Sequence, residues 1–182
     1  MKFNVNQQDL QQALSYCQGV IEKRSTLPIL SNVLLDVSNT KLTITATDLD
    51  LIFIHKIDNI EVIEEGKTTT TSSIMYDIIR KFSSGKKINL SLSETSKLQL
   101  ESEKSIFNLN CISHSEFPLT DENFNENEFS INSKSLLKLL NKCKFSVSND
   151  ETRHYLSGIY LHKTEVEDKN YLTAVATDSH RM

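Results

Sequence analysis

The chain repeats itself, and the repeat limits the folds open to it. Phe3-Asn4-Val5-Asn6, followed by Leu10, Leu14 and Cys17, returns 126 residues later as Phe129-Ser130-Ile131-Asn132, followed by Leu136, Leu140 and Cys143. At the same offset Leu30-Ser31-Asn32-Val33-Leu34-Leu35 becomes Leu156-Ser157-Gly158-Ile159-Tyr160-Leu161. After four residues of slippage, Ala46-Thr47-Asp48 falls on Ala176-Thr177-Asp178. Core positions, a helix-start Asn and a strand-end Thr-Asp return together, which marks an architecture assembled from copies of one unit. The second copy reaches Met182 about halfway through that unit.

Hydrophobic periodicity divides the repeat again. Lys2 to Val5 reads as extended, and Leu10, Ala13, Leu14 and Cys17 then follow helical i, i+3, i+4, i+7 spacing behind Asn6 as N-cap. Strand patterns follow over Ile29–Val37, Lys41–Thr47 and Leu51–Ile57, the first two joined by a turn at Ser38-Asn39-Thr40. The sequence starts over at Lys67–Thr71, with a helix over Ser73–Phe82 and strands over Lys86–Leu92, Lys97–Glu101 and Ser105–Cys111. A third start comes at Phe129, with Leu136, Leu137, Leu140 and Cys143 on the helix face, and a strand is expected over Leu172–Thr177. The building block is therefore β-α-β-β-β, present about two and a half times. The expected domains are 1–126, complete, and 127–182, the first half of a second, joined by an acidic, Asn-rich surface connector at Thr120–Glu128.

Composition narrows the function classes. The chain has 182 residues, 38% of them hydrophobic, enough for a packed core. Met1 to Leu10 has no apolar signal segment and no apolar run is long enough to span a bilayer, so a cytoplasmic protein is expected. Three cysteines with no CxxC read as small hydrophobes at equivalent helix positions, Cys17 and Cys143, in a reducing compartment. Four glycines cannot build a phosphate-cradling loop, which removes the P-loop and Rossmann classes.

The net charge of −4 hides a segregation: the helical segments Gln7–Gln18, Ser73–Lys87 and Ser133–Lys144 sum to +6, leaving −10 elsewhere. Bases on helices and acids on strands predict two faces of opposite sign, with Arg80, Lys81, Lys134, Lys138 and Lys142 on the basic one; the alternative is an ordinary solvated helix face. Arg24 and Arg153 fall in corresponding loops, and a guanidinium fork suits phosphate oxygens.

Two groupings mimic catalytic motifs. Asp48-Leu49-Asp50 has the form of a DxD metal motif, yet its repeat counterpart is Asp178-Ser179-His180, so a strand-end Asp closing a turn accounts for both. Asp178, Ser179 and His180 supply hydrolase residue types, but three consecutive residues rarely point at one another as a triad. The five histidines lack metal-ligand spacing, and no catalytic residue, metal or cofactor is expected.

Lys23-Arg24-Ser25-Thr26-Leu27-Pro28-Ile29-Leu30-Ser31-Asn32-Val33-Leu34-Leu35 and Thr45-Ala46-Thr47-Asp48-Leu49 resemble the first domain of the bacterial DNA polymerase III beta subunit, the sliding-clamp family. Arg153-His154-Tyr155-Leu156-Ser157-Gly158 and Val175-Ala176-Thr177-Asp178-Ser179-His180-Arg181 resemble its second domain. The resemblance implies an α+β DNA-clamp fold of repeated half-units, antiparallel sheets outside and helices lining the inner face. It also implies a head-to-tail homodimeric ring around double-stranded DNA, a processivity factor without chemistry of its own that serves polymerase, clamp loader and other clamp-binding peptides.

Carried over residue by residue, the family's DNA-facing positions are Arg24, His154 and Tyr155; Leu156, Thr177, Ser179, His180 and Arg181 match its partner-peptide pocket, and Phe107 and Leu109 its subunit interface. The chain departs from the family at Ser73, where a base is common, at His154, where Tyr is common, and at Ser179, where Gly is usual. The rival readings are a peptide-binding scaffold of the same fold without a DNA role, and a hydrolase using Asp178, Ser179 and His180. A further expectation is that residues 1–182 alone leave the second unit's sheet and helix face uncovered and close no ring.

Overall fold

The computed structural model describes residues 1–21, 27–118 and 129–182, which form two compact units, Met1–Asp121 and Glu122–Met182. In the first unit β1 (Lys2–Asn6) leads into α1 (Gln7–Cys17) and a meander of β2 (Asn32–Ser38), β3 (Lys41–Thr47) and β4 (Ile52–Ile57). A short β5 (Glu61–Glu64) precedes the second round: β6 (Gly66–Thr71), α2 (Ser72–Ile79), β7 (Lys87–Leu92), β8 (Lys97–Ser102) and β9 (Ser105–Ile112). All pairings are antiparallel, in the order β4-β3-β2-β6-β9-β8-β7-β1-β5.

The order interlocks two half-units. The opening strand of each pairs with the first meander strand of the other: Phe3 and Val5 of β1 lie opposite Leu90 and Ile88 of β7, and Thr68 and Thr70 of β6 lie opposite Leu35 and Val33 of β2. The helices obey the same exchange. Gln7 Nε2, at the start of α1, donates to the Ile79 carbonyl at the end of α2 (2.9 Å), and Gln18 Nε2, at the end of α1, donates to Ser72 Oγ at the start of α2 (2.9 Å). The two helices thus run antiparallel, side by side.

Helix α1 starts where Asn6 Oδ1 accepts the Gln8 N–H (2.8 Å), satisfying one of the donors a helix start leaves free. Its apolar stripe, Leu10, Ala13, Leu14 and Cys17, is fully buried with Met75 and Ile79 of α2 against Phe3, Leu35, Ile44, Leu90 and Leu98 of the sheet. Each such leucine contributes about 1.5–3 kcal/mol through its burial. Burial also raises the Cys17 thiol to about 12, so it stays protonated and inert. Where the two meanders join, the seam is polar instead: Asn32 Nδ2 donates to Thr69 Oγ1, Thr71 Oγ1 to Asn32 Oδ1, and Thr69 Oγ1 to the Ile112 carbonyl. Buried polar groups cost little when paired in this way.

Several elements differ from the sequence expectation. The strand expected from Ile29 begins at Asn32, because Pro28–Ser31 forms a 3-10 turn with Pro at its first position. The second helix ends at Ile79, and Arg80–Phe82 continue only as a turn. Strand β5 was not expected: four residues between acidic ends carry little local pattern. It is held by distant groups, the Met1 ammonium on Glu64 (2.8 Å) and Asn4 and Lys87 on Glu61 (3.1 and 3.3 Å).

The second unit holds α3 (Ser133–Cys143) and a hairpin of β10 (Tyr160–Val166) and β11 (Lys169–Val175), joined through 3-10 turns at Lys144–Ser146 and Glu151–Leu156. Asn132 caps α3 through the Lys134 and Ser135 N–H groups (3.1 and 3.2 Å), as Asn6 caps α1. The opening strand expected at Phe129 does not form, and β11 ends at Val175 rather than Thr177. The strand that pairs with β1 belongs to the other half-unit, and residues 129–132 have no such partner here. The connector expected over Thr120–Glu128 lies outside the described residues, as does residue 126, the expected domain boundary.

Candidate nucleic-acid interface

On α3, Lys134, Lys138 and Lys142 recur every four residues and share one exposed stripe, opposite the side carrying Leu136, Leu139 and Cys143. Among the described residues none of the three takes part in an ion pair. A row of free ammonium groups along one helix side is suited to phosphates rather than base edges. In the first unit the bases are more constrained. Arg80 turns back on its own helix, its Nε 3.3 Å from Asp77 Oδ1 and its guanidinium 5.9 Å from the centre of the Tyr76 ring. Lys81 is exposed and borders a groove of about 350 Å³ with Ile74, Ile78, Phe82 and Phe107. Arg24 lies outside the described residues.

The loop carrying Arg153, His154 and Tyr155 follows α3 in the second unit. Asp150 organises it: its carboxylate accepts from the Thr152 hydroxyl (2.6 Å) and N–H (3.0 Å) and faces Arg153 Nε at 3.1 Å. The Thr152 hydroxyl first, then the Thr152 N–H, holds the Asp150 carboxyl below its usual range. His154 and Tyr155 are exposed and meet edge to face with ring centres 6.1 Å apart; Tyr155 is 74% exposed.

The expected peptide-pocket residues gather in the turn after β11. Thr177 Oγ1 accepts the Ser179 N–H (3.1 Å), and Asp178 Oδ1 accepts the His180 and Arg181 N–H groups (2.9 and 3.0 Å). The first unit repeats the pattern: Thr47 Oγ1 accepts from Leu49, and Asp48 Oδ1 from Asp50 and Leu51. Ser179 and Leu49 both take φ in the left-handed region (+76° and +83°), which favours glycine. Arg181 Nε pairs with Asp178 Oδ2 (2.9 Å) while its guanidinium lies 5.7 Å from the centre of the Phe145 ring, and Arg153 Nη1 donates to Ser179 Oγ (3.4 Å). Phe145 and Asp150 were not singled out in the sequence; only the folded loops bring them in. Leu156 is half-buried, its carbonyl accepting the Ser148 N–H (3.0 Å).

This geometry works against the hydrolase. The Asp178 carboxylate is occupied by backbone N–H groups and Arg181, with the His180 N–H the main cause holding its carboxyl below the usual range. Ser179 Oγ faces Arg153. Asp178 therefore closes a turn, as Asp48 does.

Of the expected interface pair, Phe107 is 41% exposed and stacks edge to face on Phe82 at 5.8 Å. Leu109 lies in the core cluster of the first unit, 9% exposed. Ile74, Ile78 and Phe82, from α2 and the turn after it, provide the apolar surface beside Phe107 instead. β9 pairs with β6 at Cys111 and Ile112, and Thr70 Oγ1 donates to the Asn110 carbonyl (3.1 Å), so among the described residues Ser105–Leu109 have no strand on that edge.

Interlocked β-α-β-β-β halves with paired helices over an antiparallel sheet define the clamp fold of DNA-replication processivity factors. Models of the DNA polymerase III beta subunit match the chain twice, the N-terminal domain over residues 1–121 and the central domain over 130–182, and the chain belongs to that family. It is 35% identical to the beta sliding clamp of Caulobacter vibrioides over 184 residues, and 34% identical to that of Escherichia coli K12 over 182. All of this chain is matched, against 49% and 48% of those proteins, so it spans about half the length of the curated relatives it matches. A Caulobacter crescentus clamp structure superposes with a TM-score of 0.94 at 34% identity, covering 99% of this chain and 48% of that one. A Bartonella birtlesii clamp, solved bound to griselimycin, gives 0.93 at 35%, with 99% and 48% covered.

Proposed function

We propose that the chain supplies a complete clamp domain, residues 1–126, and the first half of a second, 127–182, to a ring that encircles duplex DNA and tethers a replicative polymerase. The observation that carries this reading is the unpaired lysine stripe of α3 within a chain matched along its whole length by clamp sequences. The ring works by enclosure. Sequence-independent phosphate contacts from Lys134, Lys138, Lys142, Arg153 and Arg24, with His154 and Tyr155 beside them, hold the duplex loosely enough to slide. No step of this mechanism is catalytic.

The edge at Ser105–Leu109, without a strand beside it among the described residues, and the Ile74–Phe82–Phe107 groove support a head-to-tail contact with a second clamp subunit, since a free strand edge accepts another strand. Leu156, Thr177, Ser179, His180 and Arg181 form the second-domain part of a pocket for peptides of polymerase, clamp loader and other partners. A cytoplasmic location follows from that role; among the described residues no helix is long and apolar enough to cross a membrane.

The test is the salt dependence of DNA association by the ring. Lys138→Ala and Arg24→Ala should each weaken binding equally on unrelated sequences and each lower the log–log salt slope by about 1. Loss confined to particular sequences would show base reading and contradict the proposal.

A further inference from the structure

The repeat aligns α1 with α3 position for position. At the 126-residue offset the lysines of the α3 stripe, Lys134, Lys138 and Lys142, fall on Gln8, Gln12 and Tyr16. These three are exposed on α1, on the side away from the buried Leu10, Ala13, Leu14 and Cys17. Where α3 presents ammonium groups, α1 presents two amides and a phenol, and the charge it carries is Asp9.

The row is held in place. Tyr16 is 50% exposed, yet its aromatic ring meets two others from β4, those of Phe53 and His55, each with its centre 6.0 Å away. Gln12 Nε2 donates to the Tyr16 hydroxyl oxygen (3.0 Å), and Gln8 Nε2 donates to Ser84 Oγ (2.7 Å). A phenol that accepts in this way keeps its own hydrogen for another acceptor, and none of the described residues takes it. A packed aromatic side chain with a free O–H at its tip loses little conformational freedom when a ligand oxygen arrives.

We infer that Tyr16, positioned by Gln12, donates a hydrogen bond to a phosphate oxygen of the duplex, so that the first unit holds DNA through uncharged groups where the second uses lysines. The inference rests on the ring reading, in which equivalent helix sides of the repeat turn towards the same centre. Amide N–H and phenol O–H groups suit phosphate oxygens, and such contacts position a duplex without reading its bases. They differ from lysines in one respect. A neutral donor neutralises no phosphate and releases no counterion. The Tyr16 contact therefore adds affinity without adding salt dependence, while Lys134, Lys138 and Lys142 add both.

The test is duplex association by a ring that includes the chain, measured across a range of salt. Tyr16→Phe keeps the aromatic packing on Phe53 and His55 and removes the hydroxyl alone, so thermal unfolding should match the parent. It should weaken association about threefold to tenfold and leave the log–log salt slope unchanged. Gln12→Ala should weaken it less, and adding it to Tyr16→Phe should cost nothing more, because Gln12 acts through the hydroxyl. Gln12→Lys brings a charge to the row and should steepen the slope by about 1. Lys138→Ala separates the two readings. If it flattens the slope while Tyr16→Phe binds like the parent and Gln12→Lys leaves the slope unchanged, the row faces only solvent and this inference alone is overturned. Additive losses in the double variant would overturn the positioning role of Gln12. If Lys138→Ala also changes nothing, the ring reading fails and takes the inference with it.

Discussion

Phe3 and Phe129 occupy the same place in the repeat, yet the first is wholly enclosed and the second is 75% exposed. Leu10, Leu14 and Cys17 are likewise buried in α1, whereas no residue of α3 is. The sequences of the two segments are equally good openings of a half-unit. What separates them is the presence of a second half to pair with, so burial in this fold is a property of the pair. A helix with one apolar stripe gains most of its stability from tertiary packing rather than from propensity, and α3 has only the hairpin behind it.

The largest expected effect is therefore an asymmetry between equivalent substitutions. Leu14→Ala should destabilise the first unit by about 2–5 kcal/mol in urea unfolding. Leu140→Ala, measured where the chain is monomeric, should cost roughly 1 kcal/mol or less, since a half-exposed side chain leaves little cavity. Equal losses would break the comparison. Next in size is the polar seam: Asn32→Ala removes partners of Thr69 and Thr71 and should cost about 1–3 kcal/mol. A neutral result would mean that water replaces the amide there.

The Thr-Asp turns can be compared directly, because Leu49 and Ser179 share a left-handed backbone. Leu49→Gly should stabilise the first unit by about 1 kcal/mol by removing the Cβ conflict. A loss of stability would show that the Leu49 side chain makes an apolar contact worth more than the strain. The smallest effect concerns acid. The Asp178 carboxyl is held below its usual range by the His180 N–H, so its contribution is fully present above the ordinary carboxylate pKa and is lost as pH falls through the lower folded value. The His180 and Arg181 amide resonances should shift together in that acid window. A midpoint at or above the ordinary carboxylate value would contradict the assigned hydrogen bonds.

Both helical stripes, the Asn caps and most strands were legible in the sequence because they rest on local period and capping chemistry. Strand β5 and the loss of the strand at Phe129 were not, since each depends on partners far along the chain or on their absence. Among site residues, the Thr177–Arg181 turn was legible as a turn through its likeness to Thr47–Leu51. The Arg153–Asp150 and Arg181–Phe145 contacts were not, because nothing in local spacing says where a long side chain will fold back. Alternation along β9 places Phe107 and Leu109 on one face, yet Leu109 is buried and Phe107 exposed, a difference the strand's own pattern does not carry.

The central proposal, that this chain helps enclose duplex DNA, is tested most directly by topology. A ring that includes the chain is incubated with nicked circular duplex and passed through a sizing column at physiological salt. The clamp reading predicts co-elution with the circle and release once the circle is linearised. Co-elution that survives linearisation would contradict enclosure and leave ordinary surface binding in its place.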